Sequence, residues 1–280
     1  MSCSESVNPI FHFVYERNSV MRIGTYNVLG LTGYPAEEAS KDLGDPNTEE
    51  TAKHFADVFQ SLACDILALQ EGVALTQIQR IALAMDRQVA TCPSPIAWSG
   101  HILSRYPILE SRTYSHPKPN AADYPFSRTA GAVLLELDED HLLWVVVLHL
   151  HPGLVELRNA EAEHIARRID ELSGMHHPIV VLGDFNCEVG EAIHTMLASK
   201  AFTNAMATAG GGLQPTMDTV GLKHGGGWTI DHIYVSSDLS GHLTTAEVIR
   251  RDGFRQDGPQ QSGLWVHSDH LPVVATLDYP

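Results

Sequence analysis

Asp184 and Asn186 are the residues whose types and spacing point most directly to chemistry. They follow an apolar run at 179–182, which is β-branched at three of its four positions and is bounded by Pro178 and Gly183. Such a run is typical of a strand covered on both faces, and we expect Gly183 to end it in a tight turn. In an extended chain Asp184 and Asn186 project to the same side, where a carboxylate with an orienting amide could serve as a general base. An Asx turn that caps the next helix explains the same two residues equally well.

Polar residues with similar potential stand at the ends of other apolar runs. Glu71 could be a metal ligand at the end of a strand, or it could begin a helix whose dipole favours an acidic residue there. Six such positions indicate a single polar cluster at one end of packed sheets. Carboxylate and amide oxygens suit Mg²⁺ or Mn²⁺, and His–carboxylate pairs suit proton transfer or charge stabilisation. The six positions are Asn27, Glu71, His149, Asp184 with Asn186, Asp231, and Asp269 with His270.

Alternating strands and helices must position these residues. Apolar runs predict strands at 21–29, 64–71, 101–108, 130–137, 142–148, 179–182, 229–235, 246–250 and 271–277. Apolar residues at helical spacing predict helices near 47–62, 74–85, 157–172 and 189–197, with Asn47 and Glu50 as a capping box for the first. No repeat or linker interrupts this order, so we expect one domain over residues 21–280. Residues 1–20 are predicted to be an N-terminal extension, in which Phe11, Phe13 and Tyr15 could form an edge strand.

Composition describes an ordinary globular protein. The chain has 280 residues, of which 44% are hydrophobic and 19% charged, so it can bury a sizeable core. No apolar run reaches the ~18 residues that a membrane span needs, and no signal peptide is expected at the N-terminus. The four cysteines form no Cys-x-x-Cys pair, so neither a structural zinc site nor a disulfide framework is expected. We therefore expect a cytoplasmic protein with reduced thiols.

The charge balance is acidic. The chain carries 18 Lys and Arg against 34 Asp and Glu, a formal net charge of −16. Proteins that follow a nucleic-acid backbone are usually basic, because Lys and Arg contacts supply most of that affinity. An acidic chain can still bind phosphate when a divalent metal supplies the positive charge.

The ordered set of motifs resembles the endonuclease/exonuclease/phosphatase superfamily of metal-dependent phosphoesterases. The resemblance spans residues 21–278 and implies an α/β (α+β) fold, a four-layer α/β/β/α sandwich with the site where the two sheets meet. The motifs that carry it are Thr25-Tyr26-Asn27, Leu69-Gln70-Glu71, Ser104-Arg105-Tyr106-Pro107, His149-Leu150, Gly183-Asp184-Phe185-Asn186, Ile230-Asp231-His232-Ile233 and Ser268-Asp269-His270.

The resemblance implies a metal site and a water-activating group. Glu71 would be the principal ligand of Mg²⁺, or of Mn²⁺, helped by Asn27 and Asp269. Asp184 would orient or deprotonate the attacking water. Asn186 beside it would hold the phosphate or a second metal.

The resemblance also implies the groups that contact the phosphate. His270 would contact a phosphoryl oxygen and would be kept in position by Asp231. His149 would be a second phosphate-contacting histidine, although Leu148 stands where relatives have the threonine of a Thr-His-Leu motif. Arg128 resembles a family arginine loosely and would bind substrate.

Three functions compete at this stage. The first is a Mg²⁺-dependent phosphodiesterase or phosphatase with a phosphorylated small-molecule, nucleotide or lipid-headgroup substrate. The second is a nuclease or DNA-repair phosphodiesterase of the same fold, for which tryptophans such as Trp98, Trp228 and Trp265 could stack bases, unless they only pack. The third is a non-catalytic phosphate-binding member, against which the complete polar set argues. The oligomeric state stays open.

The acidic charge favours the small substrate over nucleic acid. The residues after Glu71 agree, because abasic-site endonucleases of the family typically continue with Thr-Lys, whereas this chain has Gly72-Val73. That departure, with His149, resembles the branch that contains sphingomyelinases, inositol phosphatases and tyrosyl-DNA phosphodiesterases. The branch itself includes both lipid and DNA substrates.

Overall fold

Two six-stranded mixed sheets form the centre of the protein. The computed structural model describes residues 20–115, 126–217, 227–251, 253–254 and 265–279. In chain order the strands are β1 (Met21–Asn27), β2 (Ile66–Gln70), β3 (Gln88–Cys92), β4 (Gly100–Ser104), β5 (Ile108–Thr113), β6 (Thr129–Glu136), β7 (Leu142–His149), β8 (Ile179–Asp184), β9 (Thr203–Asn204), β10 (Asp231–Val235), β11 (Leu243–Val248) and β12 (Val273–Leu277). The first sheet has the order β11-β12-β1-β2-β4-β3 and the second β5-β6-β7-β8-β10-β9.

Helices pack against both sheets. They are α1 (Ala36–Leu43), α2 (Glu49–Ser61), α3 (Leu75–Ala84), α4 (Val155–Ser173), α5 (Ala192–Ser199), α6 (Ala205–Ala209) and α7 (Ser237–Ser240), with a short 3₁₀ turn at Leu29–Leu31. One apolar cluster joins α2 and α3 to the first sheet and to the inner face of the second. Another joins α4 and α5 to the outer face of the second sheet. The predicted four-layer α/β/β/α sandwich is therefore confirmed.

Strand β7 shows why the sequences of the central strands are unbroken apolar runs. Its side chains alternate between the two clusters: Val145 and Val147 face the first sheet, whereas Trp144 and Val146 face α4 and α5. Because successive side chains of a strand point to opposite faces, a strand with both faces covered is apolar at every position. The sequence-based prediction of this strand is confirmed for the same reason.

The two longer strands that the sequence did not reveal, β3 and β5, lie at the edges of their sheets. Strand β5 is largely exposed and carries the pair Glu110 and Arg112, so it lacks the apolar run that marks a central strand. The predicted strand over 101–108 was wrong in extent, because β4 ends at Ser104 and β5 begins at Ile108. An edge strand needs apolar side chains on one face only, and weakly patterned edges escape a periodicity test.

The start of α2 also differs from the prediction. Thr48, not Asn47, is the N-cap, and its Oγ1 accepts the backbone N–H of Thr51 at 3.1 Å. Asn47 instead donates its backbone and side-chain N–H groups to Asp45 Oδ1. Two capping residue types stand side by side here, and the preceding turn decides which of them is used.

Strand β8 continues through Gly183 to Asp184, so the predicted tight turn at the glycine was wrong. Gly183 has a φ of 145°, and a Cβ placed on it would lie 1.9 Å from the carbonyl oxygen of Leu148. Only glycine combines that backbone conformation with such a close approach. The extra strand length places Asp184 opposite His149 of parallel β7 and opposite Asp231 of antiparallel β10.

Three further sequence expectations concern membrane spans, cysteines and the N-terminal residues. The described helices include none with the length and apolar character needed to cross a bilayer. Cys64, Cys92 and Cys187 are buried and free. Residues 1–19, with the alternation of Phe11, Phe13 and Tyr15, lie outside the described residues.

Candidate active site

The predicted polar residues meet where the two sheets come together at one end. Asn27 ends β1 of the first sheet, and its Nδ2 donates to Asp184 Oδ2 at the end of β8 of the second sheet, at 2.9 Å. Glu71 directly follows β2, and Asp269 and His270 precede β12. His149 and Asp231 come from the strands on either side of β8. Two sheets therefore contribute to one buried group of polar side chains.

Asp184 lies at the centre of this group. Its Oδ2 accepts Asn27 Nδ2–H, and its Oδ1 accepts the backbone N–H of Asn186 at 2.9 Å. The second contact is an Asx-type turn, but it caps no helix, because the next helix begins at Ala192. The role of Asp184 as a general base stays a prediction. Burial raises the pKa of Asp184 above that of an ordinary carboxyl, against the lowering effect of the neighbouring His270. A raised pKa makes a carboxylate a stronger base.

Asn186 connects the segment that follows β8 with the segment that follows β7. It has a φ of 51°, and its Nδ2 donates to the carbonyl oxygen of Leu150 at 2.9 Å, just beyond β7. The backbone N–H of Leu150 in turn donates to the carbonyl oxygen of Asp184. The segment that follows His149 is thereby held next to the segment that follows Asp184.

His270 and Asp231 form a buried pair. His270 Nδ1 lies 2.9 Å from Asp231 Oδ2, and its Nε2 lies 3.8 Å from Asp184 Oδ2. Burial alone would lower the pKa of His270, but the charges of Asp231 and Asp184 outweigh it and raise the pKa to about 10. His270 is therefore a cation at neutral pH, and its Nδ1–H donates to Asp231.

His149 has the opposite protonation. It is almost fully buried, and its Nε2 lies 3.6 Å from Asp184 Oδ2 and 3.8 Å from Glu71 Oε1. Burial lowers the pKa of His149 to about 4, so its imidazole is neutral at pH 7. Its Nδ1 is buried and meets no hydrogen-bond partner among the described residues.

Glu71 gives the site a carboxylate with one oxygen unsatisfied among the described residues. Its Oε2 is buried and lacks a hydrogen-bond partner within the described ranges. Burial, with smaller contributions from the charges of Asp184 and Asp269, raises the pKa of Glu71 to about 7, against the lowering effect of His270. Carboxylates gathered in a buried place repel one another unless a cation joins them.

These residues fit a divalent metal. The ligand atoms of Asp184, Asp231 and His270 lie within 4.8 Å of one another, and this buried set could hold an ion. His270 would join such a set only as a neutral imidazole, because an imidazolium has no free lone pair with which to bind a metal. The unpartnered Oε2 of Glu71 and the unpartnered Oδ1 of Asp231 are the oxygens that a hard cation would satisfy.

Arg128 lies beside His149 rather than within the carboxylate group. It precedes β6, whose first residue, Thr129, is opposite His149 in the sheet. Its guanidinium carbon lies 5.8 Å from the ring centre of Trp98, and its Nε is buried without a partner in the described part of the chain. Burial is the main cause of the lowered pKa of His149, and the charge of Arg128 lowers it further.

Two buried hydroxyl residues to which the sequence analysis gave no role support the site. Thr216 Oγ1 accepts the backbone N–H groups of Ile230 and Asp231 at 3.1 and 3.0 Å. Ser268 Oγ donates to the carbonyl oxygen of Asn27 at 2.7 Å and accepts the backbone N–H of His270. Ser268 was marked by the Ser-Asp-His motif, whereas Thr216 follows an irregular glycine-rich segment and carries no pattern.

A cleft adjoins the polar group through Asn186. Its volume is about 550 Å³, and its lining includes Glu188, Val189, Glu191, Met217 and Trp228. Trp228 is about half exposed, and its backbone pairs with that of Met217. None of the described residues that line the cleft is Lys or Arg.

Solved structures show that this fold recurs. The chain aligns with an endonuclease/exonuclease/phosphatase from Bacteroides vulgatus with a TM-score of 0.67 and 18% identity, over 93% of this chain and 99% of that one. A mannosyl-6-phosphatase from Bacteroides thetaiotaomicron aligns with a TM-score of 0.65 and 15% identity, over 91% and 98% of the two chains. D. rerio TDP2, solved with a single-strand DNA product, aligns with a TM-score of 0.65 and 16% identity, over 92% and 99%.

The family follows from the sequence match. No curated protein sequence matches the chain. A model of the endonuclease/exonuclease/phosphatase family matches residues 24–248, which include Asn27, Glu71, His149, Asp184 and Asp231. Members of the family are metal-dependent hydrolases of phosphoesters, and the candidate site described above has the residue types that such a reaction requires. This chain therefore belongs to the endonuclease/exonuclease/phosphatase family and is a phosphoester hydrolase.

Proposed function

We propose that this protein is a Mg²⁺-dependent phosphoesterase that hydrolyses a phosphodiester, or a phosphomonoester, by in-line attack of an activated water. The observation that carries the proposal is the convergence of Glu71, Asp184, His149 and His270 from two sheets on one buried place. A group of two histidines and several carboxylates is costly to bury, and chemistry at phosphorus gives it a purpose.

Glu71, with Asn27 and Asp269, would hold the metal, Mg²⁺ or alternatively Mn²⁺. When bound, the ion supplies positive charge that neutralises the phosphoryl oxygens and the leaving oxygen. The unpartnered Oε2 of Glu71 and its approach to the charges of Asp184 and Asp269 support this assignment.

Asp184 would orient the attacking water and accept its proton. Hydrogen bonds from Asn27 and from the backbone of Asn186 hold the two carboxylate oxygens, so the base is already oriented before the substrate binds. The raised pKa of Asp184 supports a base that is effective near neutral pH.

The remaining residues would bind the phosphoryl group. His270, held as a cation by Asp231, would donate its Nε2–H to a phosphoryl oxygen and offset the charge that develops there. His149 would make a second contact with the phosphate as a neutral donor. Arg128 would bind the substrate. Asn186, beside Asp184, would hold the phosphate or a second metal.

For the substrate we propose a phosphorylated small molecule, a nucleotide or a lipid headgroup. The net charge of −16 and the cleft lining, which includes the carboxylate of Glu188 and no described Lys or Arg, support a ligand with little negative charge beyond the reacting phosphate. The phosphosugar named for the mannosyl-6-phosphatase of similar fold is a substrate of this size.

A nuclease or DNA-repair phosphodiesterase is the second candidate. The half-exposed Trp228 in the cleft favours it, because an aromatic ring on a paired backbone can stack a base. D. rerio TDP2, with its single-strand DNA product, provides an example of this fold with DNA. A non-catalytic, phosphate-binding role is a weaker alternative, since it gives no reason for a water-activating carboxylate.

One experiment separates these candidates. Purified protein is incubated with Mg²⁺ and either an aryl phosphodiester or labelled single- and double-stranded oligonucleotides, with the Asp184→Asn variant as the contamination control. We expect hydrolysis of the aryl diester, intact oligonucleotides, and a fall of ~10²-fold or more in rate for Asp184→Asn. Oligonucleotide cleavage by the wild type alone would support the nuclease instead. A near-wild-type rate for Asp184→Asn would overturn the proposed mechanism.

The proposal includes a cellular setting. We propose one catalytic domain over residues 21–280, preceded by an extension, and a cytoplasmic location. Three described cysteines that are buried as free thiols support a reducing compartment.

A further inference from the structure

Glu161 is a buried carboxylate outside the residues assigned above. It lies on α4, on the outer side of the second sheet, and its exposed fraction is 0%. Burying a carboxylate costs free energy unless hydrogen bonds replace its water. The partners of Glu161 therefore indicate what the side chain contributes.

The two oxygens of Glu161 bind two different segments of the chain. Oε1 accepts the backbone N–H of Ser127 at 3.1 Å and its hydroxyl at 3.3 Å. Oε2 accepts the backbone N–H of His151 at 2.8 Å. The first segment leads into β6 and carries Arg128, and the second directly follows β7, whose last residue is His149.

Glu161 binds the two segments just beyond the point where the pairing of β6 with β7 ends. Thr129 and His149 are the last partners in the pairing of β6 with β7. Beyond that pair, the backbone N–H of Leu150 turns to β8 and donates to Asp184. Because the ladder between the two strands has ended, the carboxylate of Glu161 is the described link that spans them.

The neighbouring Arg158 strengthens one side of this link only. Its Nη1 donates to the carbonyl oxygen of His151, and its other nitrogens bind both oxygens of Glu191. Within the described ranges Arg158 makes no hydrogen bond to Glu161. The hydrogen bonds to the buried carboxylate come from the backbone N–H groups of Ser127 and His151 and from the Ser127 hydroxyl. On the Ser127 side, the carbonyl oxygen accepts from Arg128, its neighbour in sequence, rather than from a side chain of α4.

The contacts of the Arg128 guanidinium are local. Its Nη1 donates to the carbonyl oxygen of Ser127, its guanidinium lies against Trp98, and its Nε has no described partner. We propose that Glu161 is a positioning residue, which sets the separation between the Arg128 guanidinium and the His149 imidazole that receive the phosphoryl group. This inference rests on the proposed function, because it concerns the same phosphate.

The Glu161→Gln variant tests the link with little change of shape. An amide has a single acceptor oxygen, and its NH₂ group would face either the N–H of Ser127 or that of His151, so one of the two hydrogen bonds from backbone N–H groups is lost. The control is Glu163→Gln, which removes the same charge from an exposed position on the same helix. We expect Glu161→Gln to lower kcat/KM for an aryl phosphodiester by about tenfold and to weaken inhibition by inorganic phosphate, with Glu163→Gln close to wild type.

A double-mutant cycle with Arg128→Ala distinguishes positioning from general loss of stability. If Glu161 acts through Arg128, its replacement in the Arg128→Ala background should cost less than about threefold, because the group that it positions is already absent. Equal losses in both backgrounds, or equal effects of Glu161→Gln and Glu163→Gln, would overturn the inference. Urea unfolding of each variant identifies any that are not folded.

Two further measurements keep the inference separate from the proposed function. Ser127→Ala removes only the hydroxyl contact to Glu161, and we expect a smaller loss of the same sign if Glu161→Gln does not fold. The affinity for inorganic phosphate, measured by calorimetry over the same cycle, requires no turnover. A wild type that binds phosphate but hydrolyses no ester would contradict the proposed function, while coupling between Glu161 and Arg128 in that affinity would support the inference and additivity would overturn it.

Discussion

At the scale of single residues, environment gives identical side chains different chemistry. His149 and His270 both lie beside Asp184, yet one is neutral and the other is a cation at pH 7. The difference is the carboxylate of Asp231, which His270 contacts at 2.9 Å and His149 does not. One imidazole is therefore suited to orient a phosphate and the other to neutralise its developing charge.

Glu71 provides the prediction for this scale. Glu71→Gln should weaken binding of Mn²⁺ or Mg²⁺ at least ~10-fold, because the amide removes the charge that the metal would neutralise. Asp184→Asn should change that affinity less than ~3-fold, since Asp184 is assigned to the water rather than to the metal. Calorimetric titration of both variants with each metal measures this without turnover. Equal losses of affinity would show that Asp184 shares in metal binding.

At the scale of elements, the pairing of β7, β8 and β10 builds the site. Parallel β7 brings His149 opposite Asp184, and antiparallel β10 brings Asp231 opposite the same residue. A shift of one residue in either register would turn these side chains to the other face of the sheet. Gly183 is the position where this arrangement is tightest, because its backbone passes so close to Leu148 that no side chain fits.

Replacement of Gly183 by alanine should therefore be severe. The new Cβ would meet the Leu148 carbonyl at 1.9 Å, so β8 must move away from β7. We expect Gly183→Ala to lower the free energy of unfolding by ~3 kcal/mol or more and to abolish activity, because Asp184 moves with the strand. Urea unfolding measures the first effect and hydrolysis of an aryl diester the second.

Gly190 is the matched control for the backbone conformation. It has a φ of 127°, and a Cβ there would meet nothing within 4 Å. Gly190→Ala should therefore cost only the ~1 kcal/mol of backbone strain. A Gly183→Ala variant no less stable than Gly190→Ala would show that the close approach to Leu148 is relieved at little cost.

At the scale of the whole molecule, buried neutral histidines couple stability to pH. His101 is fully buried on β4, and its ring nitrogens contact Thr91 Oγ1 and the carbonyl oxygen of Val73. Burial lowers its pKa from 6.5 to about 4. Below pH 6.5 the unfolded chain binds a proton that the folded protein excludes, so stability is lost as the pH falls from 6.5 towards 4.

The size of this effect can be measured. His101 alone should make the free energy of unfolding fall by ~1.4 kcal/mol per pH unit between about pH 6 and pH 4. His101→Gln keeps one donor and one acceptor but does not titrate. The slope of its free energy of unfolding with pH should therefore correspond to about one proton fewer than in the wild type. Urea unfolding of both proteins between pH 7.5 and pH 5 provides the comparison. Equal slopes would show that His101 binds its proton as readily in the folded protein as in the unfolded chain.

The sequence alone was sufficient for the fold class, and it marked most of the polar residues that the structure brings together. Strands buried on both faces are apolar throughout, so polar residues at their ends, such as Asn27, Glu71 and Asp184, are visible without a structure. The order of these motifs along the chain was specific enough to predict the family, which the match over residues 24–248 confirms. The roles of these residues stay predictions until the variants are measured.

Tertiary structure alone decided how those residues meet and in which protonation state. Asn27 and Asp184 are 157 positions apart, and no local pattern predicts the hydrogen bond that joins their two sheets. The path of β8 through Gly183, the opposite protonation of His149 and His270, and the connection made by Glu161 all depend on burial and on contacts between distant segments. Periodicity reports which face of an element is covered, whereas a pKa and a hydrogen bond depend on what covers it.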